Sequence, residues 1–387
     1  MLNEMPSGVG SLRIICIALL SLLAVPAAGQ DLPIIAGPEE TVFDWSRDAC
    51  DRWDVPDAPA RAWRGAEGVA MIAGAEVNRR AAGPDLDRVV HGCAIVFQGA
   101  RADDPGAYDD RGWIAATYAD GTGRIEALVH DEYHGNRRPD RCPAADYAAC
   151  WRNAIVAAVS EDGGASFRRV GLVAALPYRY AGDEGHRTGY FTPSNIIRNG
   201  DFLYVFVFAE AFGAQRRGAC LLRRPVVGGA ADWRGWDGSG FTVRFVDPYR
   251  EPVVDPAAHV CAPLAGLEGT VSDVVRVAAT GEYLALLPLR RPEATGFYGA
   301  VSRDLIHWSA PRPILEAPLL WARECGAPNA YAYAALLDPA SDDANFATVG
   351  TEPWLYLVRM AVGPDCRIGP DRDLVRRRVS WPAPAAR

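Results

Sequence analysis

The feature that most restricts this chain is a strand-turn-strand unit that recurs along its length. Short runs rich in Val, Ile, Phe, Tyr and Trp alternate with clusters of Gly, Pro, Asn and Asp, and helical periodicity is scarce beyond the N-terminal segment. The runs include Trp113–Tyr118, Ile125–His130, Ala154–Val159, Phe202–Phe208, Tyr283–Leu287, Phe297–Val301 and Trp354–Met360. One unit reads GWIAATYADGTGRIEALVHDEYHG followed by WRNAIVAAVSEDGGASFRRVG. The next reads TPSNIIRNGDFLYVFVFAEAFG followed by GACLLRRPVVGGAADWRGWDG. A third reads LEGTVSDVVRVAATGEYLALLPL followed by GFYGAVSRDLIHWSAPRPIL, and shorter versions lie near each end. Five such units predict an all-β chain, a single five-bladed β-propeller with four-stranded blades.

Two turns carry the repeat most clearly. Ser160 to Phe167, SEDGGASF, fits the Asp-box pattern S-x-D-x-G-x-[ST]-[FW], and Ser302 to Trp308 is a looser version. The Asp162 carboxylate is placed to bond backbone N–H groups of its turn. Gly163 and Gly164 permit positive φ, and Phe167 packs the turn down. These turns inform the fold and not the chemistry. A propeller must also close its first blade onto its last, since open edges invite pairing. The segment from Glu40 to Trp53 is expected to supply a strand to the C-terminal blade.

Residues 1–29 read as a signal peptide: Arg13 is the positive region, Ile14 to Val25 the apolar run, and Ala27, Ala28 and Gly29 the small residues before cleavage. Residues 30–387 are then the propeller domain. The apolar run is too short to span a bilayer comfortably, so a secreted or periplasmic protein without a membrane anchor is expected. Eight of the nine cysteines remain after the leader, an even number that favours disulfides. Neighbours along the chain are expected to pair, Cys142 with Cys150 first, because only a short loop separates them. No Cys-x-x-Cys occurs, which argues against a zinc or redox centre. Net charge is −8 and all basic residues are arginine, with no basic face of the kind nucleic acid needs.

The five units and the two boxes resemble the five-bladed propeller glycoside hydrolases: arabinanases, β-xylosidases and sialidase-like propellers. The segments DVPDAPARAWR, HDEYHGNRRPDRC, TPSNII, FAEAFGAQ and WRGWDGSGFTVRFVDPYRE look more narrowly like a set of exported bacterial propellers. The resemblance spans roughly Asp44 to Trp381. It implies a general base from the first blade, where Asp57 stands, and a tuning Asp from the second, where Asp110 stands. It implies a Glu acid opening the third blade, but Ser194 and Asn195 occupy that place.

Read from the residues themselves, His130, Asp131, Glu132, Tyr133 and His134 form the densest chemical cluster, at the end of an apolar strand. Alternation puts His130, Glu132 and His134 on one face. A Glu between two imidazoles suits general acid work, and His-x-Glu-x-His also suits a metal; a hydrogen-bonded loop anchor is the plain alternative. Glu210 ends the equivalent strand of the next unit and is a second candidate acid. Catalytic candidates are therefore Asp57, Glu132, Glu210 and Asp110. Arg61, His130, His134, Tyr190, Asn195 and Trp113 are candidates for holding a sugar. No metal or cofactor is implied. The expected function is glycoside hydrolysis of a poly- or oligosaccharide at a central pocket. A non-catalytic carbohydrate-binding propeller and an extracellular protein-binding scaffold are the alternatives.

Overall fold

The inner strands are buried on both faces, as at Trp151–Ser160 and Phe202–Glu210, whereas Ile34–Phe43 alternates toward solvent. The computed structural model describes residues 32–138, 140–142, 146–322 and 325–382. The expected leader lies outside the described residues. Each apolar run read from the sequence falls within a strand.

Arg61–Gly65, Gly68–Ile72, Val77–Gly83 and Val90–Gln98 form an antiparallel sheet in chain order. Arg111–Ala119, Ile125–His134, Trp151–Ser160 and Arg168–Ala174 follow the same course. Thr188–Phe191, Phe202–Glu210, Gly218–Pro225, Arg234–Trp236 and Phe241–Val243 follow it again. With Ile197–Asn199, which pairs with Phe202–Glu210, these last two groups are continuous as one ten-stranded sheet, because Thr188 and Gly189 pair in parallel with Arg152 and Asn153. Asp273–Val277, Tyr283–Arg290, Thr295–Ser302 and Arg312–Glu316 come next, with Thr348–Val349 added in parallel to the first of them.

The last sheet is made by Asn329–Leu337, Trp354–Val362, Ile368–Ser380 and the early strand Ile34–Phe43. The N-terminal segment thus pairs with the C-terminal strand, from Ile34 opposite Ser380 to Phe43 opposite Leu374. The pairing strand begins earlier than the expected Glu40. Gly37 and Pro38 disguise it, and charge holds it in place: Glu39 bonds Arg359 and Arg377, and Glu40 bonds Arg376. Beyond it, Trp45–Asp48 turns into a short helix because Asp44 caps the Ser46 N–H.

The Asp box locks one group onto its neighbour. Asp162 accepts from the Ser166 N–H and from the Ser160 and Ser166 hydroxyls, and these bonds hold its carboxyl down to about 2. Gly164 has φ +90°, and a Cβ there would lie 2.3 Å from the Trp63 ring, so the box seats directly on a side chain of the preceding sheet. In the looser box Leu305 occupies the equivalent left-handed turn at φ 68°, its side chain fully buried.

All eight cysteines pair as sequence neighbours: Cys50–Cys93, Cys142–Cys150, Cys220–Cys261 and Cys325–Cys366. Three of these close loops of 41 to 43 residues, each worth about 4 kcal/mol in a chain-entropy account.

At the inner ends of the sheets one ion pair joins four groups. Arg61 donates to the Ala115 carbonyl at 2.7 Å, to the Ser272 carbonyl at 2.7 Å and to Asp273 Oδ1 at 3.1 Å. Asp273 Oδ2 accepts the Leu336 N–H at 2.8 Å. Asn195 joins the remaining group, donating to the Val274 carbonyl and accepting the Val274 N–H, both at 2.7 Å. Burial raises the Asp273 carboxyl and lowers the Arg61 guanidinium, so each depends on the other to stay charged. Replacing only one partner strands a buried charge. Arg61→Met is expected to lower the free energy of unfolding by about 3–5 kcal/mol. An unchanged urea midpoint would show that the pair does not hold the sheets together.

Candidate functional site

Strand Ile125–His134 is paired along its whole length with Trp151–Ser160 and from Ile125 to Glu132 with Arg111–Ala119, so its side chains have fixed directions. His130, Glu132 and His134 share one face. His134 Nε2 lies 2.8 Å from Glu132 Oε2, and His130 Nδ1 lies 3.8 Å from Oε1. His130 Nε2 meets Asn153 Oδ1 at 2.8 Å. The same oxygen accepts the Trp151 indole N–H, and the Asn153 amide donates to the Thr188 carbonyl. An accepting oxygen requires that His130 carry its hydrogen on Nε2, which turns the Nδ1 lone pair toward Glu132. Burial lowers the His130 pKa, with Glu132 opposing, which favours this neutral ring.

The loop after this strand returns over the site. Tyr147 stacks on the His134 ring at 5.2 Å, and Trp151 does so at 5.3 Å. The Cys142–Cys150 disulfide closes that loop around Tyr147.

Asp57 reaches the same space from the turn before strand Arg61–Gly65, its N–H held by the carbonyls of Ala73 and Gly74. Its carboxylate accepts from the Tyr333 hydroxyl at 3.1 Å, from Arg372 and from the Trp113 indole. Burial raises its pKa, Arg372 opposes the rise and the nearby Glu132 charge adds to it. Its side chain remains 23% exposed. Tyr333 sits at φ 61° where the register of its strand slips between Ala332 and Ala335. That strained bulge turns its ring toward Asp57. Glu76 is a third carboxylate nearby, paired with Arg101 and Arg111 and raised by burial and by the Asp110 and Glu132 charges.

The structure therefore brings together Asp57, Trp113, His130, Glu132 and His134. Asp110 lies beneath them, accepting from the His134 N–H at 3.0 Å and from Arg138 at 2.9 Å. Glu210 stands apart with both oxygens engaged: Oε1 with Arg187 at 3.1 Å and Oε2 with Arg217 at 2.7 Å. Three residues expected to hold sugar are elsewhere. Arg61 and Asn195 are the ties between sheets described above. Tyr190 is fully buried, with its hydroxyl on Gln215. Their residue types suited sugar binding, but burial and complete bonding commit them to the core.

Tyr333, Arg372, Tyr147, Arg187 and Trp321 escaped the sequence reading. Closure of the first sheet by the last was the one signal that pointed toward Tyr333 and Arg372. Tyr333 and Arg187 form part of the wall of a cleft of about 430 Å³ that also includes Phe191, Phe208 and the 73%-exposed Trp321. That volume suits a small-molecule site. A smaller cavity of about 50 Å³ lies beside Asp54 and His91 and is lined also by Pro56, Ala73 and Gly74, behind the Asp57 backbone. Cys50, Asp54 and His91 cluster there at metal-binding distance, but the Cys50 sulfur is committed to its disulfide. Among the described residues no helix is long and apolar enough to cross a membrane.

No family model and no curated protein matches this chain. Similar solved structures include the catalytic domain of a GH62 α-L-arabinofuranosidase from Coprinopsis cinerea, at 9% identity and TM-score 0.48, covering 90% of this chain and 97% of that one. An α-L-arabinanase of Cellvibrio cellulosa complexed with arabinohexaose has 10% identity and TM-score 0.46, covering 87% and 92%. A GH32 β-fructofuranosidase of Bombyx mori has 9% identity and TM-score 0.40, covering 86% and 63%. Identities and scores this low leave the chemistry of this chain to its own residues.

The opposite face of strand Ile125–His134 carries Asp131, buried and pushed up to about 8 by desolvation, with Asp110 and Asp109 adding and Arg169 opposing. An unfolded Asp titrates near 3.9. The native state therefore binds the extra proton between these values. The stability it contributes is full below about pH 4 and is lost as pH rises through about 8. Asp131→Asn imitates the protonated form. Its thermal midpoint is expected to fall less than the wild type's between pH 4 and 9, and parallel curves would contradict this.

Proposed function

We propose that this chain is an exported glycoside hydrolase built as a five-bladed β-propeller, with Asp57 and Glu132 as its catalytic carboxylates. The blade count treats the ten-stranded sheet as two blades that touch through the short parallel pairing at Thr188 and Gly189. Four disulfides support an oxidising compartment outside the cytoplasm.

The observation that carries the reading is the approach of two differently supported carboxylates, Asp57 and Glu132, near enough for the charge of one to act on the other. Asp57 receives only donors, from Tyr333, Arg372 and Trp113, so it is held as an anion. Burial moves its pKa upward, toward the range in which a base is most effective. Glu132 has the bare Nδ1 of His130 beside one oxygen, an acceptor for a proton carried there, and His134 beside the other. Environments that differ in this way separate base from acid.

In the reaction, Glu132 delivers its proton to the glycosidic oxygen as the bond to the anomeric carbon breaks. Asp57 takes a proton from the water that attacks that carbon, and two free hydroxyl-ended sugars leave. Tyr333 and Arg372 hold the Asp57 carboxylate at its place. Trp113 offers an aromatic surface suited to a sugar ring.

Reducing-sugar release by the mature protein on a broad polysaccharide panel tests this directly. Asp57→Asn and Glu132→Gln are each expected to lower kcat by about 10²–10⁴-fold with folding intact. Glu210→Gln is expected to alter KM more than kcat, because Glu210 supports arginines on the cleft wall. Full turnover in both the Asp57 and Glu132 variants would refute the assignment.

A further inference from the structure

The substrate cleft is electrically lopsided in a chain whose net charge is −8. Arg187, Arg217, Arg290 and Arg291 all line it. Arg187 and Arg217 share a single carboxylate, Glu210. Arg291 is matched by Glu268 at 2.9 Å. Arg290 is exposed and its side chain has no partner among the described residues. Among the described residues, four guanidiniums meet two carboxylates, an excess of two positive charges on this wall. Tyr333 on this wall bonds Asp57, and Arg187 lies near enough to His130 to act on its charge, so the group of Asp57, His130 and Glu132 adjoins the cleft.

We infer that the substrate is an anionic saccharide, one whose sugar carries a carboxylate or a sulfate. This rests on the reading of the cleft as the substrate site. A neutral glycan gains nothing from uncompensated guanidiniums, whereas an oxyanion on the sugar pairs with their fork of N–H donors. The arginines are also held in advance of binding. Arg187 lies 4.8 Å from the Phe191 ring and 5.7 Å from that of Trp321, and Arg217 lies 4.8 Å from Phe208. Guanidiniums stacked on aromatic faces lose little freedom when they engage a ligand. Exposed Trp321 beside them supplies a stacking surface for the sugar that bears the anion. Opposite charges, arginines on the cleft wall and carboxylates beside it past Tyr333, also set direction. The anionic residue is drawn to the arginines and repelled by Asp57 and Glu132, so the chain enters one way round.

The test is binding by calorimetry, on the mature protein and on its Asp57→Asn form. The probes are polygalacturonate, alginate and hyaluronan, each paired with a derivative whose carboxyls are reduced to alcohols. A carrageenan is paired with its desulfated form, and neutral arabinan, xylan and galactan complete the set. At least one acidic glycan is expected to bind about tenfold or more tightly than its neutral derivative. The preference is expected to shrink with added salt. Arg290→Gln is expected to narrow the ratio severalfold, and Arg290→Lys to narrow it less. Preference for a uronate assigns a carboxylate as the anion, and preference for the carrageenan assigns a sulfate. The inference is overturned if no acidic glycan outbinds its neutral derivative, or if the preference is unmoved by Arg290→Gln. Anion-selective binding without Asp57-dependent hydrolysis would retire the catalytic reading alone. Asp57-dependent hydrolysis confined to neutral glycans would retire the anionic substrate alone.

Discussion

A guanidinium and a carboxylate taken out of water each lose several kcal/mol of hydration, and Arg61 and Asp273 are almost wholly removed from it. That loss is offset by more than their mutual attraction. Arg61 also bonds the carbonyls of Ala115 and Ser272, and Asp273 also bonds the Leu336 N–H. A single pair therefore ties main-chain groups of three sheets to the first sheet, which carries Arg61, and Asn195 brings in the remaining group through Val274. Sheets that pack only through apolar faces can slide against one another. Directional bonds at their inner ends hold them in one rotation.

The candidate site depends on that fixed rotation. Asp57 comes from the first sheet, Glu132 and its histidines from the second, and Tyr333 and Arg372 from the last. Within strand Ile125–His134 the pleat alone places His130, Glu132 and His134 together. Bringing Asp57 opposite them requires the first and second sheets to be held at a set angle, with the last sheet closing behind. The Asp box adds to this, since Gly164 sits against Trp63 with no room for a side chain. Pairing of Ile34–Phe43 with the C-terminal strand completes the last sheet, which is the one that carries Tyr333 and Arg372.

Polarity in the cleft follows from the same arrangement. The chain has no lysine, and at Arg187 and Arg217 arginine lies over aromatic rings while bonding one shared glutamate. The carboxylate end is maintained differently. Asp57 is surrounded by donors, while Glu132 is flanked by imidazoles whose own hydrogens are assigned by Asn153 and by contact. The arginines of the cleft wall and the carboxylates beside it stay apart because each set has its own partners.

Strand positions, the turn chemistry of Ser160–Phe167, the pairing of neighbouring cysteines and the clustering of His130, Glu132 and His134 were all legible in the sequence. Each depends on residues close along the chain or on a period of two, and such signals survive without knowledge of the fold. Arg61, Tyr190 and Asn195 were misread because a polar residue at a strand start looks the same whether it faces a ligand or bonds a neighbouring backbone. Tyr333 and Arg372 escaped because they meet Asp57 across 276 and 315 residues of chain. The shift of the closing strand to Ile34–Phe43 escaped because inter-strand ion pairs offset its Gly-Pro interruption. The sequence by itself determined the strands, the turns and which residue types were at hand. Only tertiary structure decided which polar groups are spent on joining the sheets and which are left facing the cleft, because burial and the satisfaction of hydrogen bonds are properties of the assembled chain.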